Sequence, residues 1–115
     1  MAYPPDLATT LDRYAEARST ADADRRWSLV HDCAAPDVVH VKPDSAEPVE
    51  GQAALTAVLG MRPSAFAFTG EPDGHHGWIR VPWRSIGDTV TTGLMVASLD
   101  REGRLAYVLH FVDPE

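Results

Sequence analysis

The chain has 115 residues, a 44% apolar composition and a formal net charge of -7. That is enough for one domain with a single core, expected over residues 1–115. The acidic balance argues against nucleic acid or an anionic membrane as partner, and no apolar run is long enough for a membrane-spanning helix.

The N-terminal Met1-Ala2-Tyr3-Pro4-Pro5-Asp6 lacks a basic region followed by an apolar core, so no signal peptide is expected. Cys33 is the only cysteine, which rules out an intramolecular disulfide and makes a cytoplasmic location the expectation. Cys33 falls within a helical apolar pattern, where a buried, inert thiol is expected.

Leu7, Leu11 and Tyr14 recur at helical spacing and predict a first helix, with Asp6 as its N-cap. A tyrosine on that apolar face buries its ring and needs a partner for its hydroxyl. A second helix starts after Ser19-Thr20, with Asp22 and Asp24 in its first turn. Its expected face is Trp27, Val30, His31 and Ala34, and Pro36 should end it. His31 is expected at the core or its edge in a structural role.

Asp37 to Lys42 reads as a short strand, with Val38, His40 and Lys42 on one face and Val39 and Val41 on the other. Pro43-Asp44-Ser45 reads as a turn. A third helix follows Glu50-Gly51, carries Leu55, Val58 and Leu59, and closes at Pro63. From Ser64 the apolar period becomes two. Ala65 to Thr69 is a strand that carries Phe66, and Gly70 to Gly74 is a turn region.

Gly74 to Ser85 reads as one strand, with His76, Trp78 and Arg80 on one face and His75, Ile79 and Val81 on the other. Pro82 cannot donate to a ladder, so a sheet edge or a bulge is expected there; a bulge would bring Trp83 to the Arg80 face. That aromatic and basic face is expected to wall a cavity for a flat, partly polar ligand. Thr89 to Leu99 is a long strand with Thr91, Gly93, Met95 and Ala97 on one side, Asp100 to Gly103 is a hairpin turn, and Arg104 to Val112 is the last strand. Three helices followed by mostly antiparallel strands define an α+β fold, with the helices packed on a strongly curved sheet.

Several strings in this order resemble the nuclear transport factor 2-like superfamily, in particular its SnoaL-like, polyketide cyclase-like branch. They are Ala35-Pro36-Asp37-Val38-Val39, Pro48-Val49-Glu50-Gly51, Gly70 to Gly77, Arg80 to Trp83, and Gly103-Arg104-Leu105 with Phe111-Val112-Asp113. The resemblance spans nearly the whole chain. It implies a cone-shaped α+β barrel, a cavity open at one end and a homodimer. It does not imply one reaction, because the superfamily holds isomerases, cyclases, dehydratases, epoxide hydrolases and binding modules.

In its ketosteroid isomerases a helix-1 tyrosine works with an aspartate before a proline and with a second, protonated carboxyl, a constellation that is a worked example of pKa tuning. Tyr14 matches the tyrosine, but Lys42 stands at the first carboxyl position and Met95 at the second. The limonene-type epoxide hydrolases carry Arg-x-Asp where this chain has Arg80-Val81-Pro82. The cyclases place an acid/base residue on a late strand, where this chain offers His110.

The expected catalytic set is therefore Tyr14, His110, His40 and Lys42. The expected ligand-binding set is Arg80, Trp78, Trp83, His76, Met95 and Phe66. Lys42 reaches solvent or pairs with Asp44, pairs with a ligand, or acts as a base or nucleophile. Arg80 either orients a ligand or pairs with Asp37 or Glu50. No cofactor is called for. No metal site is expected: His75 and His76 should point to opposite sheet faces, and no His-x-His or Glu-x-x-His spacing occurs. Two functions fit these residues. One is acid-base cyclisation, isomerisation or dehydration of a small apolar metabolite; the other is a non-catalytic ligand-binding or dimeric accessory domain.

Overall fold

A computed structural model describes residues 7–43 and 47–114. The Asp6 cap, the Asp44-Ser45 turn and a Lys42-Asp44 pair lie outside the described residues.

Helix α1 runs Leu7–Ser19 and buries Leu7, Thr10, Leu11, Tyr14 and Ala17, the face the apolar spacing predicts. Helix α2 runs Ala23–Cys33. Its N-cap is Asp22, whose carboxylate accepts from the backbone N–H of Asp24 and Arg25. The α2 face differs from the one expected. Arg26, Leu29, Val30 and Cys33 are buried, while Trp27 and His31 are exposed. The inward stripe is offset because Arg26 turns in and caps the end of α1, donating to the carbonyls of Ala17 and Thr20.

The helix ends three residues before Pro36, and strand β1 (Ala34–Val41) begins at once. Proline restricts the preceding residue to extended backbone, which accounts for the early start. Strand β2 is the two-residue Val49–Glu50, and helix α3 (Gln52–Gly60) buries Leu55 and Leu59.

The remaining strands are β3 (Ala65–Phe68), β4 (Asp73–His75), β5 (Trp78–Ile86), β6 (Val90–Leu99) and β7 (Leu105–Val112). They form one seven-stranded sheet in the order β2-β1-β7-β6-β5-β3, with β4 beside β5. All pairs are antiparallel except β1 with β7. The sheet is curved and open, with β2 and β3 as its edges, rather than closed into a barrel. The three helices cover its inner face.

The run Gly74 to Ser85 is not one strand. His76 and Gly77 have φ of 53° and 80° and make a two-residue turn between β4 and β5. Two consecutive positive φ values match the twist of a tight hairpin. No bulge interrupts β5, which stays in continuous register with β6 from Trp78 to Ile86. Pro82 sits where the outer neighbour of β5 changes from β4 to β3, so its missing N–H breaks no ladder bond on that side. Without a bulge, Trp83 joins Ile79 and Val81 on the buried face, opposite Trp78 and Arg80. Trp83 crosses β6 at Gly93, where a Cβ would meet the indole and the Phe111 carbonyl.

Candidate functional site

Four elements converge under the helices. Helix α1 brings Tyr14, β1 brings His40, β7 brings His110 and β5 brings Trp83. All four side chains are buried: Tyr14 is 0% exposed, His40 1%, and His110 and Trp83 5% each. The Tyr14 hydroxyl lies 2.9 Å from His40 Nε2 and 2.7 Å from His110 Nε2. The two imidazole rings are 5.2 Å apart. Phe66 packs edge-on to Tyr14 and stacks on Trp83.

Burial sets the electrostatics. It pushes the His40 imidazolium down to a pKa of about 3, helped by the positive charges of Arg18 and Lys42. Burial also holds His110 well below the ordinary histidine value, with His40, Arg18 and Lys42 acting in the same direction. The Tyr14 pKa is raised by burial, against an opposing pull from Arg18. The cluster is therefore a neutral phenol between two neutral imidazoles at neutral pH.

Each neutral ring carries one proton, and the buried hydroxyl proton needs an acceptor, which only an Nε2 offers here. Tyr14 has one hydroxyl proton and donates to one Nε2; the other Nε2 must carry its own proton and donate to the phenol oxygen. The two histidines are thus opposite tautomers. One presents a protonated Nδ1 and the other a bare Nδ1. Among the described residues neither Nδ1 has a partner, and neither does the indole N–H of Trp83. Each such atom costs about 1–3 kcal/mol when left unpaired. Three of them around one cluster mark a polar site inside an otherwise apolar core.

Two openings that share lining residues meet this cluster. A cavity of about 220 Å3 is lined by Arg18, Lys42, Pro43, Trp83, His110 and Val112. A wider cleft of about 980 Å3 shares Arg18, Lys42 and Trp83, reaches His40, and opens between the end of α3 and the β5–β6 turn.

Tyr14, His40, His110, Trp83 and Phe66 are thus brought together, with Lys42 half-buried at the rim. Met95 is fully buried and pairs with His110 across β6 and β7, in the core beside the site. His76, Trp78 and Arg80 are not brought there, and the face expected to wall the cavity is the outer one. His76 occupies the exposed hairpin turn, and Trp78 is 46% exposed beside Tyr107. Arg80 pairs on the surface with Asp73 at 3.0 Å, not with Asp37 or Glu50. The apolar Ile79 and Val81 are the residues that the helices cover, so the polar face turns out.

The turn also overturns the premise that His75 and His76 face opposite sides, because their Nδ1 atoms lie 2.9 Å apart. Among the described residues no group of three or more His, Cys, Asp or Glu side chains is arranged to hold a metal.

Arg18 was missed from sequence. It lies one helical turn after Tyr14, donates to its hydroxyl at 3.4 Å, and places its guanidinium 4.5 Å from the Phe66 ring centre. The i+4 spacing from a buried tyrosine was the available signal.

No protein-family model matches the chain, and no curated protein does. Solved structures do. A candidate isomerase of the SnoaL-like family from Agrobacterium tumefaciens is 33% identical, with 96% of this chain and 100% of that one covered at a TM-score of 0.81. A steroid delta-isomerase from Pseudomonas aeruginosa is 18% identical over 99% of this chain and 84% of its own, at 0.71. An NTF-2 like protein of unknown function from Burkholderia xenovorans is 17% identical over 96% and 85%, at 0.74. The last two likenesses concern the fold alone.

Proposed function

The chain belongs to the SnoaL-like family of the nuclear transport factor 2-like superfamily, and from that premise we propose that it is an acid-base enzyme. Its reaction is proton transfer on a small, mostly apolar metabolite bearing a carbonyl or hydroxyl group, ending in isomerisation, cyclisation or dehydration. The observation that carries this reading is the Tyr14 hydroxyl held between two Nε2 atoms, with both Nδ1 atoms left without a partner among the described residues.

The chemistry follows from the opposite tautomers. The bare Nδ1 takes a proton from substrate carbon, while the protonated Nδ1 of the other histidine donates to the substrate oxygen. The first histidine passes its Nε2 proton to the Tyr14 oxygen, and Tyr14 passes its own to the second histidine. The second histidine then releases its Nδ1 proton to the substrate. With the transfers concerted, the substrate exchanges a C–H for an O–H and the histidines exchange tautomers without a standing imidazolium. This suits a site where charged imidazole is strongly disfavoured. Return of the proton to a different carbon gives isomerisation, and departure of a hydroxyl as water gives dehydration. Trp83 offers a further donor to a developing oxyanion.

A second reading is a pocket that binds a ligand without turnover. The absence of the superfamily's carboxylates at Lys42 and Met95 favours it. Incubation with a small-metabolite extract, followed by native mass spectrometry and chromatography, separates the two. Disappearance of one mass with the appearance of an isomer or a dehydrated product supports the enzyme. A retained, unchanged ligand supports the binding protein.

We also propose a homodimer formed through the outer sheet face, where Trp78, Tyr107, Phe111, Ile86 and Val90 are exposed. Sedimentation that finds only monomer at micromolar concentration would remove it.

A further inference from the structure

The charged side chains on the 220 Å3 cavity, Arg18 and Lys42, are both cations. Composition does not account for this, because the chain carries a net charge of -7. The ion pairs among the described residues engage Arg25, Arg80 and Arg104, and neither Arg18 nor Lys42 takes part in one. Arg18 is held instead by Phe66 and by the Tyr14 hydroxyl, contacts that fix its guanidinium without neutralising it. The wider cleft adds Arg62 and a single carboxylate among its described lining, Asp88. The indole of Trp83 lines the same cavity, and its buried N–H has no partner among the described residues.

Two unneutralised cations on one cavity form an acceptor's site. Positive charge held beside a low-dielectric wall gains most from an anion that neutralises it. Arginine's planar fork matches a carboxylate in particular. The other walls are Pro43, Val112 and the indole of Trp83, which favour a flat, apolar body. The volume is below the ~300–1,000 Å3 usual for larger ligands. We infer that the substrate is a small, flat carboxylic acid, anchored as its carboxylate by Arg18 and Lys42 at the rim with its apolar body toward Trp83 and His110. This rests on the reading of the cavity as a substrate site, and adds to it the charge and class of the ligand.

Calorimetric titration of the full chain with benzoate and 3-phenylpropanoate, each beside its primary amide, tests this. The acids should bind at least about tenfold tighter than the amides, with the difference shrinking as salt is raised. Lys42→Met and Arg18→Gln should each weaken the acids several-fold more than the amides. Arg80→Met, which removes an equal charge from the outer face, should change neither. Thermal melts establish that each variant is folded, and Lys42, half-buried at the rim, serves if Arg18→Gln is not. Amides that bind as tightly as the acids would overturn the carboxylate assignment while leaving the cavity reading in place, provided Trp83→Phe alters their binding. An acid preference that survives both substitutions would overturn the assignment too, as would inorganic phosphate displacing the acids at equal concentration. Absence of binding by any of these probes would overturn the cavity reading together with the assignment.

Discussion

The Tyr14 hydroxyl stands 2.7 Å from Nε2 of His110, a residue 96 positions away in the chain. One belongs to the first helix and the other to the last strand, so the contact forms only when the fold is complete. His40 joins the same hydroxyl from β1. Removing the hydroxyl should therefore act on stability and function together. Tyr14→Phe leaves two buried nitrogens without their partner, and should lower stability by about 1–3 kcal/mol, measured by denaturant midpoint. It also breaks the path between the histidines, so turnover should fall more than ligand affinity.

Acid should unfold this protein through its histidines. Both have folded-state pKa values below the ordinary 6.5, about 3 for His40 and well below 6.5 for His110. The unfolded chain then binds protons that the folded chain does not. Stability from this source is complete above pH 6.5 and declines as pH falls from there toward the folded values. Denaturant titrations at several pH values should show that decline, and His110→Gln should make it shallower.

Cys33 should be silent. Its thiol is fully buried and pushed up to a pKa of about 12 by that burial. A thiol-specific reagent at pH 8 should label the chain only after denaturant is added. Rapid labelling of native protein would mean that α2 opens at its C-terminal end.

Gly93 should tolerate no side chain. A methyl group there would meet the indole of Trp83 and the carbonyl of Phe111. Gly93→Ala should cost about 1–3 kcal/mol or more and move the Trp83 fluorescence, because the ring must leave its stack on Phe66.

Much of this arrangement is written in local periodicity. The helical spacing of Leu7, Leu11 and Tyr14 put the tyrosine inside, and strand alternation put His40 with Val38 and Met95 with Ala97. What periodicity does not carry is which face of β5 the helices cover. Trp78 and Arg80 looked like a cavity wall because they are chemically rich, yet Ile79 and Val81 bury more apolar area per polar atom. The β4–β5 turn was displaced for a related reason. Asp73-Gly74 is the stronger turn dipeptide, but the chain turns at His76-Gly77, where a non-glycine residue takes φ of 53°. Arg18 and Arg26 were hidden among surface-like charges, because what holds each in place is a tertiary contact: the Phe66 ring for one, the carbonyls ending α1 for the other.

The most direct test of the account is 15N NMR of histidine-labelled protein, recorded from pH 8 to pH 5. It should find His40 and His110 neutral throughout and opposite in tautomer, one protonated at Nε2 and the other at Nδ1, with Tyr14→Phe abolishing that difference. Two histidines that share one tautomer, or that titrate near 6.5, would contradict the account, because Tyr14 would then not be holding a neutral acid and base side by side.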